Sequence, residues 1–250
     1  MTLQEFFNSQ PKAALAFSGG VDSAYLLYAA MRYGSDIGVY FVKSAFQPQF
    51  ELEDAQRLAK ELGAHLQVIR LDVLADADVA ANPANRCYYC KKRIFSAIAQ
   101  AAKQDGYSVI MDGTNASDDA GDRPGMRALQ ELSVRSPLRE CGLTKDEIRQ
   151  LSKEAGLFTW NKPAYACLAT RIPTGCAITK EALEKTEKAE AYLASLGFTD
   201  FRIRMMGDAA KIQVPQAQLE KVLQHRSEIN AQLRQLYSAA LLDLEVRGNG

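Results

Sequence analysis

The run Ala13-Ala-Leu-Ala-Phe17 passes directly into Ser18-Gly19-Gly20-Val21-Asp22-Ser23 and then into the helix-forming Ala24-Tyr-Leu-Leu-Tyr-Ala-Ala30. No other stretch restricts the fold so narrowly: a buried strand, a glycine turn and a helix start, in that order, make a βα unit. Paired glycines let the backbone curl around an oxyanion. Ser18 and Ser23 supply hydroxyls, and the first free N–H groups of the helix point at the bound charge. The spacing is neither Gly-x-x-x-x-Gly-Lys-Ser/Thr nor Gly-x-Gly-x-x-Gly, so the two commonest phosphate loops are excluded.

The pattern downstream repeats the unit. Asp36-Ile-Gly-Val-Tyr-Phe-Val42 is an apolar run of strand length, as expected of a parallel strand covered on both faces. Residues 50–63 place Leu52, Ala55, Leu58, Ala59 and Leu62 at helical spacing before Gly63 as a C-cap, and a third strand is expected over 66–71. Strand, helix, strand, helix, strand predicts an α/β fold with a doubly wound parallel sheet, whose ligands sit at the carboxyl ends of the strands. Residues 72–86 read as a mobile connection. A fourth strand over 107–111 delivers Asp112, Asn115 and Asp118, with Asp119, Asp122 and Arg123, to the edge that carries the glycine loop. Short polar groups there can hold a ribose, a Mg²⁺ or an adenylated carboxylate.

Residues 133–138 read as a fifth strand or edge segment. Thr144-Lys-Asp-Glu147 is a capping box that opens a scaffold helix, and 160–176 is an irregular loop with two prolines. Beyond Ile178 come a helix (180–196), strands at 200–205 and 210–214, a helical stretch (216–237) with a break near Arg226, and a closing strand. This is a small α+β domain. The expected division is therefore 1–176 for nucleotide binding and 177–250 for substrate-phosphate binding or oligomerisation.

With 250 residues, 47% of them hydrophobic, the chain can bury a substantial core. Thirty basic and thirty acidic residues cancel, which leaves no global electrostatic footprint for nucleic acid or an anionic membrane. The first residues lack a basic export region and no apolar run reaches spanning length, so a cytoplasmic protein with no membrane partner is expected. Five cysteines, an odd number spread over a mid-sized chain in which no export signal is read, argue against a disulfide framework and for thiols used in metal or sulfur chemistry. Cys87 and Cys90 stand three apart, where a helical turn brings both sulfurs to one metal or cluster, and Arg86, Lys91, Lys92 and Arg93 would lower their pKa. Two buried structural thiols are the alternative. Cys141 reads as a structural thiol. Arg202 and Arg204 fall on one face of their strand, spaced either to clamp a phosphate or to line a solvated face.

Ser18 to Ser23 resembles the pyrophosphate loop of the PP-loop ATPases, which cleave ATP to AMP and pyrophosphate. Taken with Cys87-x-x-Cys90, Asp112-Gly-Thr-Asn115, Arg123-Pro-Gly125, Cys167-Leu-Ala-Thr-Arg171-Ile-Pro-Thr-Gly175 and Phe201-Arg-Ile-Arg204, it makes nearly the whole chain resemble the LarE family of sulfur transferases. These act in assembly of the nickel-pincer nucleotide cofactor of lactate racemase. The resemblance implies ATP and Mg²⁺ at Ser18, Gly19, Gly20, Asp22, Ser23, Asp112, Asn115 and Asp118. It also implies adenylylation of a carboxylate of pyridinium-3,5-biscarboxylic acid mononucleotide, a small-molecule nucleotide, and replacement of its oxygen by sulfur.

In that family the sulfur comes from one sacrificed cysteine or through a 4Fe-4S cluster on three cysteines. Cys87, Cys90 and Cys167 match the second type, with Cys176 competing for the third position. Thr170, Arg171, Arg202 and Arg204 would hold the substrate phosphate, and a homo-oligomer is expected. Two other classes share parts of the pattern. One is a PP-loop tRNA thiolase or an amide- or nitrile-forming ligase. The other is a nucleotide sensor with structural zinc on Cys87, Cys90, Cys167 and Cys176.

Overall fold

The computed structural model describes residues 1–118 and 124–247. Asp119, Asp122 and Arg123 lie outside the described residues. The chain divides into two compact units, one formed by Met1–Val73 and Asn85–Lys162, the other by Leu74–Ala84 and Pro163–Gly250.

The first unit begins with α1 (Leu3–Ser9), opened by a capping box between Thr2 and Glu5. There follow β1 (Lys12–Ala16), α2 (Val21–Arg32), β2 (Asp36–Lys43), α3 (Gln49–Leu62) and β3 (Leu66–Arg70). The short α4 (Ala77–Ala80) belongs to the second unit. The chain then returns through α5 (Arg86–Gln104), β4 (Ile110–Met111), α6 (Pro124–Glu131), α7 (Pro137–Glu140) and α8 (Lys145–Glu154). Gly63 closes α3 at φ +71°, donating its N–H to the carbonyls of Ala59 and Lys60.

The strands form one parallel sheet in the order β3-β2-β1-β4. Leu15 pairs with Val39 on one side and Met111 on the other. The chain steps outward from β1 to β3 and then crosses to the far side of β1, so the strand order reverses between β1 and β4. Open α/β sheets bind ligands at such a switch point, outside the carboxyl ends of the strands. The core around β1 joins Leu15, Phe17, Leu26, Leu27, Phe41, Leu58, Met111 and Leu138. On the opposite face Ala14, Tyr40, Val42, Ile98 and Ala102 pack together.

Two expectations are corrected. Residues 133–138 contribute a single parallel bridge, Met111 to Arg135, in place of a fifth strand. Ser133 sits at φ +53° and Pro137 has no N–H to continue a ladder, so the chain turns into α7 instead. Nor is 72–86 a loose connection. Asp76 caps α4 through its side chain, and Asn82, 1% exposed, donates its amide to the carbonyls of Pro173 (2.9 Å) and Cys176 (3.0 Å).

The second unit continues with 3₁₀ turns at Leu168–Arg171 and Gln216–Gln218. Its regular elements are α9 (Lys180–Ser195), β5 (Arg202–Met206), β6 (Ala209–Gln213), α10 (Leu219–Gln224), α11 (Arg226–Leu233) and β7 (Ala239–Leu242). The sheet order is β5-β6-β7, antiparallel then parallel. His225 ends α10 and starts α11, where the break is expected. Its core gathers Ala189, Leu193, Phe198, Ile203, Ile212, Val214, Ile229 and Leu233.

Candidate functional site

In the first unit the glycine loop lies at the carboxyl end of β1, as the sequence predicts. Gly19 takes φ +70°, and a Cβ built there would stand 3.1 Å from the Ala55 Cβ and 3.2 Å from its backbone N. Only glycine satisfies both the left-handed backbone and the close approach to α3. Ser18 and Ser23 hold the loop closed across its mouth. Their Oγ atoms are 3.0 Å apart, the Ser18 N–H donates to Ser23 Oγ (3.3 Å), and Gly20 N–H donates to Ser18 Oγ (3.3 Å). Gly20 is the N-cap of α2 and offers no side chain, so the first N–H groups of this 12-residue helix are left without a side-chain cap.

The loop after β4 comes against that same helix start. A Cβ on Gly113 would lie 2.9 Å from the Ser23 backbone N, so the two backbones pack directly on one another. Asp112 is buried and accepts from Thr114 Oγ1 (2.6 Å), Thr114 N–H (3.2 Å) and Ser136 Oγ (2.7 Å). Asn115, also buried, donates its amide to Asp22 Oδ1 (3.3 Å), and its own N–H reaches Asp118 Oδ2 (2.9 Å). Ser18, Gly19, Gly20, Asp22, Ser23, Asp112, Asn115 and Asp118 are therefore brought together at one edge of the sheet. Their donors to a cation are all oxygens, a set that suits Mg²⁺.

One residue read as scaffold reaches this edge. The capping box of α8 forms as expected, yet Lys145 within it extends its ammonium to Asp22 Oδ2 at 2.6 Å. Arg139 is turned to the carbonyls of Asn115 and Asp118. Nothing local in the sequence marks Lys145, because its partner is 123 residues away.

Cys87 and Cys90 lie one turn apart in the first turns of α5, Cys87 exposed and Cys90 half-buried. The Arg86 guanidinium donates to Cys87 Sγ at 3.8 Å. Lys92 is directed elsewhere, to Glu131 (3.1 Å) and the Tyr88 hydroxyl (3.2 Å), and Arg127 stacks on the Tyr88 ring. Cys141 packs beside Leu143 against the core, and burial pushes its thiol pKa up. Iodoacetamide at pH 8 should thus alkylate Cys87 well before Cys141. Peptide mass spectrometry checks the order, and equal rates would contradict the packing of Cys141.

In the second unit Cys167 begins the turn Leu168–Arg171. Its carbonyl accepts from Thr170 N–H (3.0 Å) and Thr170 Oγ1 (2.9 Å). Arg171 points inward and is 1% exposed. Its Nε and Nη2 grip the Glu190 carboxylate at 2.8 and 3.1 Å, and its Nη1 donates to Ala166 O and Thr170 Oγ1. Glu190 also accepts from Tyr165 Oη (2.6 Å) and Ile203 N–H (2.9 Å). Arg171 therefore ties the cysteine loop to α9 and β5.

Tyr165 lies under both Arg171 (4.6 Å) and Arg202 (5.1 Å). Arg202 donates to the carbonyls of Phe201 (2.6 Å) and Ala164 (2.5 Å), and Arg204 to Thr170 O (2.8 Å) and Gln213 Oε1 (2.6 Å). Burial, then the like charges of Arg171 and Arg247, push Arg202 down to about 10 and lower Arg204 as well. Repulsion among these guanidinium groups is what a bound anion would relieve. Cys176 is exposed on the segment that Asn82 holds through its carbonyls. Among the described residues, neither unit by itself groups three His, Cys, Asp or Glu side chains so as to hold a metal ion.

Comparison with known proteins adds to this geometry. The family model of queuosine biosynthesis protein QueC matches residues 12–85, which include the glycine loop. A pyridinium-3,5-bisthiocarboxylic acid mononucleotide synthase of Lactiplantibacillus plantarum is 34% identical over 246 residues, covering 97% of this chain and 89% of the relative. The uncharacterized protein slr1717 of Synechocystis is 37% identical over 226 residues, covering 89% and 83%. A tRNA-specific 2-thiouridylase, MnmA 2, of Clostridium botulinum is 29% identical over 62% of this chain, which spans about half of that protein (53%).

Proposed function

We propose, since the chain belongs to the LarE family of PP-loop sulfurtransferases, that it activates a carboxylate of pyridinium-3,5-biscarboxylic acid mononucleotide with ATP and exchanges one carboxylate oxygen for sulfur. One observation carries the reading. The uncapped start of α2 and the oxygen-rich loop after β4 meet at the switch point of the sheet. They do so in a chain similar over 97% of its length to a synthase of the bisthiocarboxylate.

A carboxylate is a poor electrophile because its oxygen leaves badly. Attack of that oxygen on the α-phosphorus of ATP, with cleavage to the α,β-bridging oxygen, sends the electron pair out on pyrophosphate and turns AMP into the next leaving group. The loop N–H groups and the Ser18 and Ser23 hydroxyls would hold the departing pyrophosphate. Asp22 and Asp118 would hold Mg²⁺, which spreads phosphate charge when bound. Sulfide then adds to the acyl carbon, the acyl–oxygen bond breaks with its pair leaving on AMP, and the S–H proton passes to solvent. No oxidant or reductant is required.

We assign Cys87, Cys90 and Cys167 as the thiolates for a 4Fe-4S cluster. The turn spacing of the first two and the Arg86 guanidinium beside Cys87 support this assignment. Such a group would supply transferable sulfide when bound. Arg202 and Arg204, with Thr170, would meet the substrate phosphate, and Arg171 would position them. No helix among the described residues is long and apolar enough to cross a membrane. A cytoplasmic protein acting on a small molecule, and a homo-oligomer, are part of the same reading.

The test is incubation with ATP, Mg²⁺ and the biscarboxylate mononucleotide, followed by mass spectrometry of product and protein. Thiocarboxylate product, AMP and intact cysteines are expected, and absence of AMP would refute the activity. Anaerobically purified protein should contain iron and acid-labile sulfide. Stoichiometric zinc without colour would sink the cluster, and loss of H₂S mass at Cys167 would make that residue a sacrificial donor.

A further inference from the structure

Of the guanidinium groups gathered in the second unit, most meet a carboxylate. Arg171 grips Glu190, while Arg202 (3.8 Å) and Arg247 (2.9 Å) share Asp200. Arg204 has no carboxylate partner among the described residues. Its Nε donates to the Gln213 amide oxygen (2.6 Å) and its Nη1 to Thr170 O (2.8 Å), both neutral acceptors, and its other N–H groups meet no acceptor among those residues. The sheet decides these neighbours. β5 and β6 run antiparallel with Arg202 opposite Gln213 and Arg204 opposite Lys211, so the four side chains share one face while Ile203 and Ile212 enter the core on the other. An acid reaches this face just after β7: Asp243 accepts from Lys211 Nζ (2.7 Å) and from Gln213 Nε2 (2.6 Å). The Gln213 amide therefore lies between carboxylate and guanidinium, its nitrogen toward the anion and its oxygen toward the cation. The reverse orientation would set N–H against N–H and oxygen against carboxylate, so the network fixes this one.

We propose that Gln213 is a positioning residue for phosphate recognition: its neutral amide orients Arg204 and keeps Asp243 from pairing with it, so that the guanidinium charge stays available to the phosphate of the substrate mononucleotide. A cation already paired with a carboxylate must share or surrender that pair when a phosphate arrives, and its net gain is small. A cation held by neutral acceptors gives the incoming anion its whole charge. Lys211 completes the device, since its ammonium satisfies Asp243 on the side away from the amide's hydrogen bond and weakens the pull of that acid on Arg204. The role rests on the reading of Arg204 as a ligand of the substrate phosphate.

The test is calorimetric binding of pyridinium-3,5-biscarboxylic acid mononucleotide, and of the riboside left when phosphatase removes its phosphate, to the wild-type chain, Gln213→Glu and Gln213→Met, without ATP. The mononucleotide Kd should rise about tenfold or more in Gln213→Glu, where a carboxylate takes the Arg204 charge, and by no more than about threefold in Gln213→Met, where one neutral hydrogen bond is lost. Riboside affinity should be unchanged in both. A merely structural glutamine would give the opposite order, because glutamate keeps its shape and methionine loses its hydrogen bonds. That order, or a mononucleotide Kd unmoved in Gln213→Glu, would overturn the proposal. If the glutamate variant does not fold, Asp243→Asn is measured in its place: removing the acid beyond the amide should tighten the mononucleotide about twofold to threefold, the scale of a screened charge, and equal or weaker affinity would overturn the proposal. Equal affinity of the wild type for mononucleotide and riboside would instead defeat the reading of Arg204 as a phosphate ligand.

Discussion

Replacing Glu190 by alanine is expected to destabilise the second unit by about 3–5 kcal/mol, the cost of stripping the partner from a buried charge. The carboxylate is 5% exposed and serves four donors: two from Arg171, one from Tyr165 and the Ile203 N–H. Its removal leaves Arg171 buried beside Arg202 and Arg204, both already lowered by burial and by the positive charges around them. Hydrogen exchange reads the effect locally, since the Ile203 amide loses its acceptor. Protection should fall through β5 and α9 and remain in β1 and β2. Unchanged exchange at Ile203 would mean that the carboxylate is not its acceptor in solution. Replacing Arg171 and Glu190 together by methionine and leucine should recover most of the stability, because a buried pair removed whole leaves no orphan charge.

The second large effect concerns three glycines that look alike in the sequence. Gly113→Ala should lower AMP formation about a hundredfold, the scale on which a misplacement of about 1 Å reduces rate. The added carbon would stand 2.9 Å from the Ser23 N and must push the β4 loop away from the start of α2. Gly19→Ala combines a left-handed backbone with 3.1 Å to Ala55 and should cost about tenfold or more, the strain alone amounting to roughly 1–2 kcal/mol. Gly20→Ala meets only Ser18 Oγ at 3.4 Å, with φ at −82°, and should stay within about threefold of wild type, the range of an unstrained contact. Rates of AMP release under saturating ATP separate the three, and a Gly20→Ala loss as large as that of Gly113→Ala would contradict this account of the loop.

What the sequence made legible was whatever neighbours in the chain decide. The glycine loop, the C-cap at Gly63, the capping box at Thr144 and the break at His225 each depend on a few consecutive residues. Where a distant residue decides, local pattern failed. Residues 72–86 look loose because their polar composition says nothing of the carbonyls that Asn82 finds some 90 positions later. Lys145 was concealed by a capping box that is itself real. Glu190 stands in a helix full of glutamates, although a trace of it was present. Ala182, Leu183, Thr186, Ala189 and Leu193 form the buried stripe of α9, and Glu190 is an acid set on that stripe. Arg171, expected to meet the substrate phosphate, turns instead to this acid, and no spacing rule connects the two.

The passage of residues 74–84 out of the first unit bears on how the chain matures at the ribosome. A nascent chain of 162 residues contains every segment of the first unit, but α4 and Asn82 after it still lack the strands, helices and loop that complete the second. Asn82, at φ +54°, can then reach the carbonyls of Ile172, Pro173 and Cys176 only after those residues emerge. Because domains fold as units during synthesis, the last stretch of the chain has to close over an element made long before it. The second unit cannot be cut away as a single C-terminal fragment. A fragment beginning at residue 163 should form α9 and the three-stranded sheet yet leave the cysteine loop without its tether.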